Sequence, residues 1–195
     1  MSCCGCCNNG CTAVRDIEKT GTILLVGNPN VGKSALFNRL TGADATVSNY
    51  PGTTVDYTEG KILIKNIHYT VIDVPGAYSL EARDRAEEVA VNMLGEHRDA
   101  TVVIVLDATR LERGLYIALE TIERGYRVVV ALNMMDMARD RGISTDQKKI
   151  SDLLGVPVVQ TSATGGEGIK QLADMVTQAR SSDVNEILAR ATGGR

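Results

Sequence analysis

The 195-residue sequence has no tryptophan, a single phenylalanine (Phe37) and only six tyrosines. Its core must therefore be built from Val, Ile, Leu, Ala and Met, the residues of buried parallel strands. No apolar run is longer than that of Val102–Leu106, far below the ~20 residues of a membrane-spanning helix, and the N-terminus lacks the apolar stretch of a secretory signal. A basic excess is missing too. Lys and Arg number 21 against 24 Asp and Glu, a net charge of −3, which disfavours non-specific binding to nucleic acid or anionic membrane. Cysteine is absent after residue 11, yet Cys3, Cys4, Cys6, Cys7 and Cys11 crowd the opening stretch. Together these absences describe a soluble, cytoplasmic chain whose thiols stay reduced unless a metal or a reaction claims them.

What is present reads as one domain with a two-sided core. Residues 1–20 form a polar, Cys-rich tail, residues 21–180 a globular unit, and residues 181–195 a short helical pattern with too little apolar surface to fold alone. The last is expected to be the truncated start of a following helical domain. Thr22–Val26 is a buried strand ended by Gly27, and Lys33–Leu40 carries apolar residues at helical spacing up to Gly42. Asp44–Asp56 shows no periodicity and reads as a loop, after which Thr58–Ile64 and His68–Asp73 form a hairpin around Lys65-Asn66. Helices over Arg85–Glu96, Leu111–Arg124, Thr145–Leu154 and Ile169–Arg180 alternate with strands over Thr101–Leu106, Arg127–Leu132 and Val156–Gln160. The alternation is that of right-handed βαβ crossovers. The fold class is α/β, a three-layer sandwich with about six mostly parallel strands and one antiparallel edge hairpin strand.

Gly27-Asn-Pro-Asn-Val-Gly-Lys-Ser34 fits G-x-x-x-x-G-K-[ST] between the first strand and the first helix, the setting that a phosphate-binding loop requires. Its glycines let backbone N–H groups turn inward around phosphates, the helix N-terminus adds partial positive charge, and Lys33 reaches the β and γ oxygens. Ser34 is placed to ligate Mg²⁺, and Asn28, Asn30, Val31, Gly32 and Ala35 complete the cradle. The loop alone does not choose between ATP and GTP.

Four further pieces select guanine and a γ-phosphate. Asp73-Val-Pro-Gly76 ends the second hairpin strand beside the loop, where the carboxylate can serve the Mg²⁺ shell and the Gly76 N–H can sense a γ-phosphate. Asn133-Met-Met-Asp136 ends a later strand. There Asp136 can accept from guanine N1–H and the 2-amino group, which adenine cannot match; Met134 and Met137 flank it. After the last strand, Ser162-Ala163 offers a backbone N–H for guanine O6. In the loop before the hairpin, Thr53-Thr54 supplies a hydroxyl for Mg²⁺ when a γ-phosphate is bound. Two loops that order around GTP and relax on hydrolysis follow from these motifs, so the sandwich reads as a P-loop GTPase with GTP/GDP and Mg²⁺ as ligands.

The segments Ser48-Asn-Tyr-Pro-Gly-Thr-Thr-Val55, Asp73-Val-Pro-Gly-Ala-Tyr-Ser-Leu80, Asp107-Ala-Thr-Arg-Leu-Glu-Arg-Gly-Leu-Tyr116 and Asn133-Met-Met-Asp136 resemble the cytoplasmic G domain of the ferrous iron transport protein B family, over roughly Thr22–Arg180. The resemblance implies that Thr54 is the switch threonine, that Asn30 helps to hold K⁺ against the phosphates, and that a membrane permease domain follows in the same full-length chain, at the cytoplasmic face of the membrane. With Lys33 and Gly76 from the motifs above, Asn30 and Thr54 are then the residues nearest the chemistry. Met134 replaces the Lys of the usual Asn-Lys-x-Asp, which implies faster nucleotide release. Ala77 follows Gly76 where Ras-like proteins carry a water-orienting Gln, so slow hydrolysis accelerated by K⁺ is expected.

Two rivals stay open. One is a ribosome or RNA assembly GTPase, against which the acidic balance and the lack of an RNA-binding module argue. The other is a metal or redox sensor acting through the N-terminal cysteines, since Cys3/Cys6 and Cys4/Cys7 each have C-x-x-C spacing suited to Zn or an iron–sulfur cluster. Adjacent cysteines cannot all face one metal, and the tail lacks apolar residues to enclose it. A disordered, reduced tail fits its composition equally. Self-association of the domain is left open.

Overall fold

The computed structural model describes residues 20–42 and 45–192. Cys3, Cys4, Cys6, Cys7 and Cys11 lie outside the described residues, and so does the reading of them as metal ligands.

The elements, in chain order, are β1 (Thr20–Val26), α1 (Lys33–Thr41), β2 (Ala45–Asn49), β3 (Asp56–Ile64), β4 (Ile67–Asp73), α2 (Arg85–Glu96), β5 (Thr101–Asp107), α3 (Leu111–Glu123), β6 (Arg127–Asn133), α4 (Met135–Asp140), α5 (Gln147–Leu154), β7 (Val158–Gln160), α6 (Ile169–Val176) and α7 (Val184–Thr192). They build one seven-stranded sheet in the order β2-β3-β4-β1-β5-β6-β7. Five strands, β4, β1, β5, β6 and β7, run parallel, and β2 and β3 extend one edge antiparallel.

The central strands β1, β5 and β6 carry unbroken apolar runs, with polar residues only at their ends, because both faces are covered. Leu24, Val26, Ile104, Leu106, Val130 and Leu132 point to one core, which α2 and α3 cover with Val89, Met93, Ile117 and Ile122. Ile23, Leu25, Val103, Val105, Val129 and Ala131 point to the other, under Leu36 and Phe37 of α1 and Leu172 and Val176 of α6. The β3–β4 hairpin turns on Lys65 and Asn66 with φ of 47° and 65°, the two positive values of a type I′ turn.

The sheet departs from expectation at one edge. β2 lies inside the segment read as a loop, which raises the strand count from about six to seven and makes the antiparallel edge two strands wide. Its residues are exposed or half-buried throughout, with Val47 67% exposed. A strand held by backbone pairing alone leaves no apolar alternation to read. Within residues 181–195, α7 docks Ile187 against the first core, at 5% exposure. Among the described residues, no helix is long and apolar enough to cross a membrane.

Candidate functional site

Parallel pairing of β1 with β4 sets Leu25 opposite Asp73, which brings the Asp-x-x-Gly segment beside the loop between β1 and α1. The approach is close: Val74 N–H donates to Leu25 O at 3.1 Å and Ala77 N–H to Gly27 O at 3.2 Å. A Cβ on Gly76 would lie 3.0 Å from the Pro29 backbone, so a side chain there would crowd the loop itself. Gly32, at φ 86°, caps α1, and a Cβ there would come within 2.4 Å of Asn133 Nδ2.

The phosphate end holds charge that its surroundings do not satisfy. Lys33 is 8% exposed and its Nζ donates to Asn28 O at 3.4 Å. Burial pushes the ammonium below its ordinary pKa, against the pull of the Asp73 carboxylate. Ser34 Oγ donates to Asp73 Oδ2 at 2.7 Å, while Asp73 Oδ1 is buried with no hydrogen-bond partner. Burial pushes the Asp73 carboxyl above its ordinary value, opposed by the Ser34 hydrogen bond and the Lys33 charge. A hydroxyl and an orphaned carboxylate oxygen, both hard donors, suit Mg²⁺. Asn28 Nδ2 donates to Arg113 O at 2.9 Å, which turns Asn28 Oδ1 into a second buried acceptor without a partner. Asn30 stands exposed at the loop's shoulder with φ 63°, and Val31 is buried beneath it. Ala35 is exposed on the first turn of α1.

The base end is closed on itself. Asn133 is 2% exposed. Its Nδ2 donates to Val31 O at 2.9 Å, and its Oδ1 accepts from Ala163 N–H at 3.0 Å and from Thr161 Oγ1 at 3.3 Å. One amide thus joins the phosphate loop, the end of β6 and the loop after β7. The Ala163 N–H, expected to face guanine O6, is directed at Asn133 here. Asp136 Oδ2 accepts from Thr164 Oγ1 at 3.0 Å, and Oδ1 is buried without a partner. Desolvation raises the Asp136 pKa, but hydrogen bonds from Thr164 and the Met137 backbone outweigh it and hold the carboxyl below its usual value. Met134 takes φ 62° as the cap of α4, and Met137 is 40% exposed. Ser162 Oγ accepts from Gly165 N–H at 3.2 Å and shapes the same turn.

The loop with Thr53 and Thr54 bonds mainly to itself. Thr53 Oγ1 donates to Tyr50 O at 3.0 Å and accepts from Val55 N–H at 3.2 Å, whereas Thr54 is exposed with no hydrogen bond among the described residues. Tyr50 ties the loop to the end of α2 through Glu96 Oε1 at 2.7 Å, a bond that pushes its pKa up to about 12.

Sequence reasoning missed several residues around the site. Glu87, 5% exposed, accepts from the N–H groups of Tyr78, Ser79 and Arg83 and so folds the segment after Gly76. Its signal was available, since Asp84-Arg-Ala-Glu87 is a capping-box pattern at the start of α2. Thr164 and Arg39, which grip the base loop, belong to no motif. Size does not find the site either. A cavity of about 780 Å³ lies by α5 and the end of β7, away from every motif residue, whereas the one lined by Asn28, Asn30 and Val31 of the phosphate loop is only about 150 Å³.

The family model of ferrous iron transport protein B matches residues 21–176. The chain belongs to this family. It is 38% identical over 164 residues to the Fe(2+) transporter FeoB of Leptospira biflexa, covering 84% of this chain and 24% of that protein. To the Fe(2+) transporter FeoB of Legionella pneumophila it is 42% identical over 153 residues, covering 76% of this chain and 20% of that one. The chain therefore spans a quarter or less of the length of these curated relatives. Among solved structures, the cytosolic domain of T. maritima FeoB in its apo form superposes with a TM-score of 0.78 at 38% identity, over 82% of this chain and 63% of that one. The G domain of T. maritima FeoB matches with a TM-score of 0.76 at 37% identity, over 82% of this chain and 98% of that one. The T. maritima cytosolic domain has also been solved in GDP and GMPPNP forms. The fold is thus that of the family's G domain, a P-loop GTPase sandwich.

Proposed function

We propose that this chain is the GTP-binding, slowly GTP-hydrolysing switch domain of a ferrous iron transporter, regulating or driving uptake through an attached membrane permease. The observation that carries this is the Asn133 side chain, which bonds to Val31 O and Ala163 N–H. It makes the phosphate and base motifs two ends of a single site. The GDP and GMPPNP forms of the T. maritima relative support the same ligand class.

The loop backbone and Lys33 would hold the β- and γ-phosphates. Ser34 and Asp73, joined by Thr54 when its loop closes, would hold Mg²⁺, and Asn30 would help to hold K⁺; the cations neutralise charge on the phosphate oxygens. In hydrolysis, water attacks the γ-phosphorus and the bond to the β-bridging oxygen breaks, releasing GDP and phosphate. Position 77 is a buried alanine, 1% exposed, with no side chain to orient that water. Positioning then falls to the backbone of the Thr54 loop and the Gly76 N–H, and turnover is slow. Asp136 selects guanine, because adenine offers its carboxylate an acceptor in place of two donors. The longer relatives support attachment to a permease.

The test is nucleotide binding and hydrolysis with GTP against ATP, in KCl against NaCl. GTP should bind and turn over selectively, faster in KCl. A preference for ATP would overturn the reading, and equal rates in the two salts would remove K⁺ from it.

A further inference from the structure

We propose that Arg39 is a positioning residue for guanine recognition, gripping the base loop from the helix that receives the phosphates. The idea deepens the proposed function and rests on it. Arg39 lies five residues after Ser34 on α1, which begins at Lys33. Its Nε donates to Ala163 O at 2.9 Å and its Nη2 to Thr164 O at 2.7 Å. The two acceptors are successive carbonyls, so the planar guanidinium fixes the peptide between them in both position and tilt. A fork can do this and a point charge cannot.

The gripped residues belong to the base end of the site. Ala163 N–H is the donor expected to meet guanine O6, and Thr164 Oγ1 steadies Asp136 Oδ2 at 3.0 Å. The loop needs an external hold. Gly165, Gly166 and Gly168 follow directly, two of them at positive φ, and such a run has much conformational freedom to lose. Arg139 pairs with Glu167 at the far end of the turn, and Arg39 holds the two carbonyls at its near end, where Asn133 and Asp136 engage the Ala163 N–H and the Thr164 hydroxyl. Arg39 forms no ion pair among the described residues, and its side chain is exposed. Its two hydrogen bonds are therefore a modest, tunable clamp that links the phosphate helix to the base pocket.

The test compares the unaltered protein with Arg39→Ala and Arg39→Lys, reading the dissociation rate of a fluorescent GDP analogue and the relative affinity for GDP over IDP, which lacks the 2-amino group. With both hydrogen bonds removed, Arg39→Ala should release GDP about tenfold faster, and its preference for GDP over IDP should fall because Asp136 is less well held. Arg39→Lys, able to reach one carbonyl, should fall between. If the alanine variant does not melt cooperatively, Arg39→Gln, which keeps a donor without the fork, is read in its place. A change below about twofold in both quantities, or faster release with the GDP/IDP ratio unchanged, would overturn the proposal. Absence of saturable GDP binding by the unaltered protein would instead overturn the guanine-nucleotide reading beneath it.

Discussion

The two ends of the site are built on opposite principles. At the phosphate end, Lys33 is buried with its pKa pushed down, Asp73 is half-buried with its pKa pushed up, and acceptors on Asp73 and Asn28 lack partners. At the base end, Asn133 has both polar atoms engaged, and Asp136 is held below its usual pKa by hydrogen bonds. One end keeps interactions in reserve for a ligand. The other keeps one such oxygen, Asp136 Oδ1, and must otherwise exchange internal hydrogen bonds for ligand ones, which nets little per bond. Phosphate contacts should therefore supply affinity, and base contacts discrimination and release rate.

The largest effect should come from the end that holds charge in reserve. Lys33→Ala should weaken GDP binding about a thousandfold, or about 4 kcal/mol, because a desolvated cation opposite phosphate oxygens is lost. It should not lower the melting temperature of the nucleotide-free protein, since burial already disfavours that ammonium. Calorimetric titration beside a melting curve reads both. A variant that binds GDP within about tenfold of normal would break the contrast between the two ends.

At the base end the loss should fall on choice of nucleotide. Asp136→Asn replaces an acceptor pair by an amide that presents N–H to guanine's own donors. The preference for GTP over ATP should drop about a hundredfold, in the range seen when a buried polar group loses its match, with the maximal hydrolysis rate at saturating GTP much less affected. Competition binding with the two triphosphates checks it. An undiminished preference would move base selection to the Ala163 loop.

How much of this was legible in the residues follows the same division. The phosphate loop, Asp73 and Asp136 announce themselves because catalysis and recognition require particular residue types at fixed places along the chain. The hairpin turn at Lys65-Asn66 was legible for a similar reason, positive φ favouring asparagine there. β2 was not, because Val47 and its neighbours bury nothing and only backbone pairing with β3 makes them a strand. Arg39 and Thr164 were hidden for a third reason. Arg39 bonds to carbonyls 124 and 125 residues away, which every residue type presents alike, so no pattern in the chain marks the contact.

The smallest effect should sharpen the contrast through pH. Because burial raises the folded pKa of Asp73 above its ordinary value of 3.8, the folded protein binds that proton more tightly than the unfolded chain does. Its contribution to stability is then full below pH 3.8 and is lost as pH rises through the raised folded value. Asp73→Asn removes this titration. The nucleotide-free variant should therefore melt a few degrees higher than the unaltered protein at pH 7, and the gap should close as pH falls toward 4. Addition of Mg²⁺ and GDP should reverse the order at pH 7, since the carboxylate that burial penalises is the one that a cation would stabilise. Melting curves at three or four pH values, with and without Mg²⁺-GDP, distinguish the outcomes. A gap that does not vary with pH would mean that Asp73 stays ionised at no cost, and that the phosphate end holds nothing in reserve.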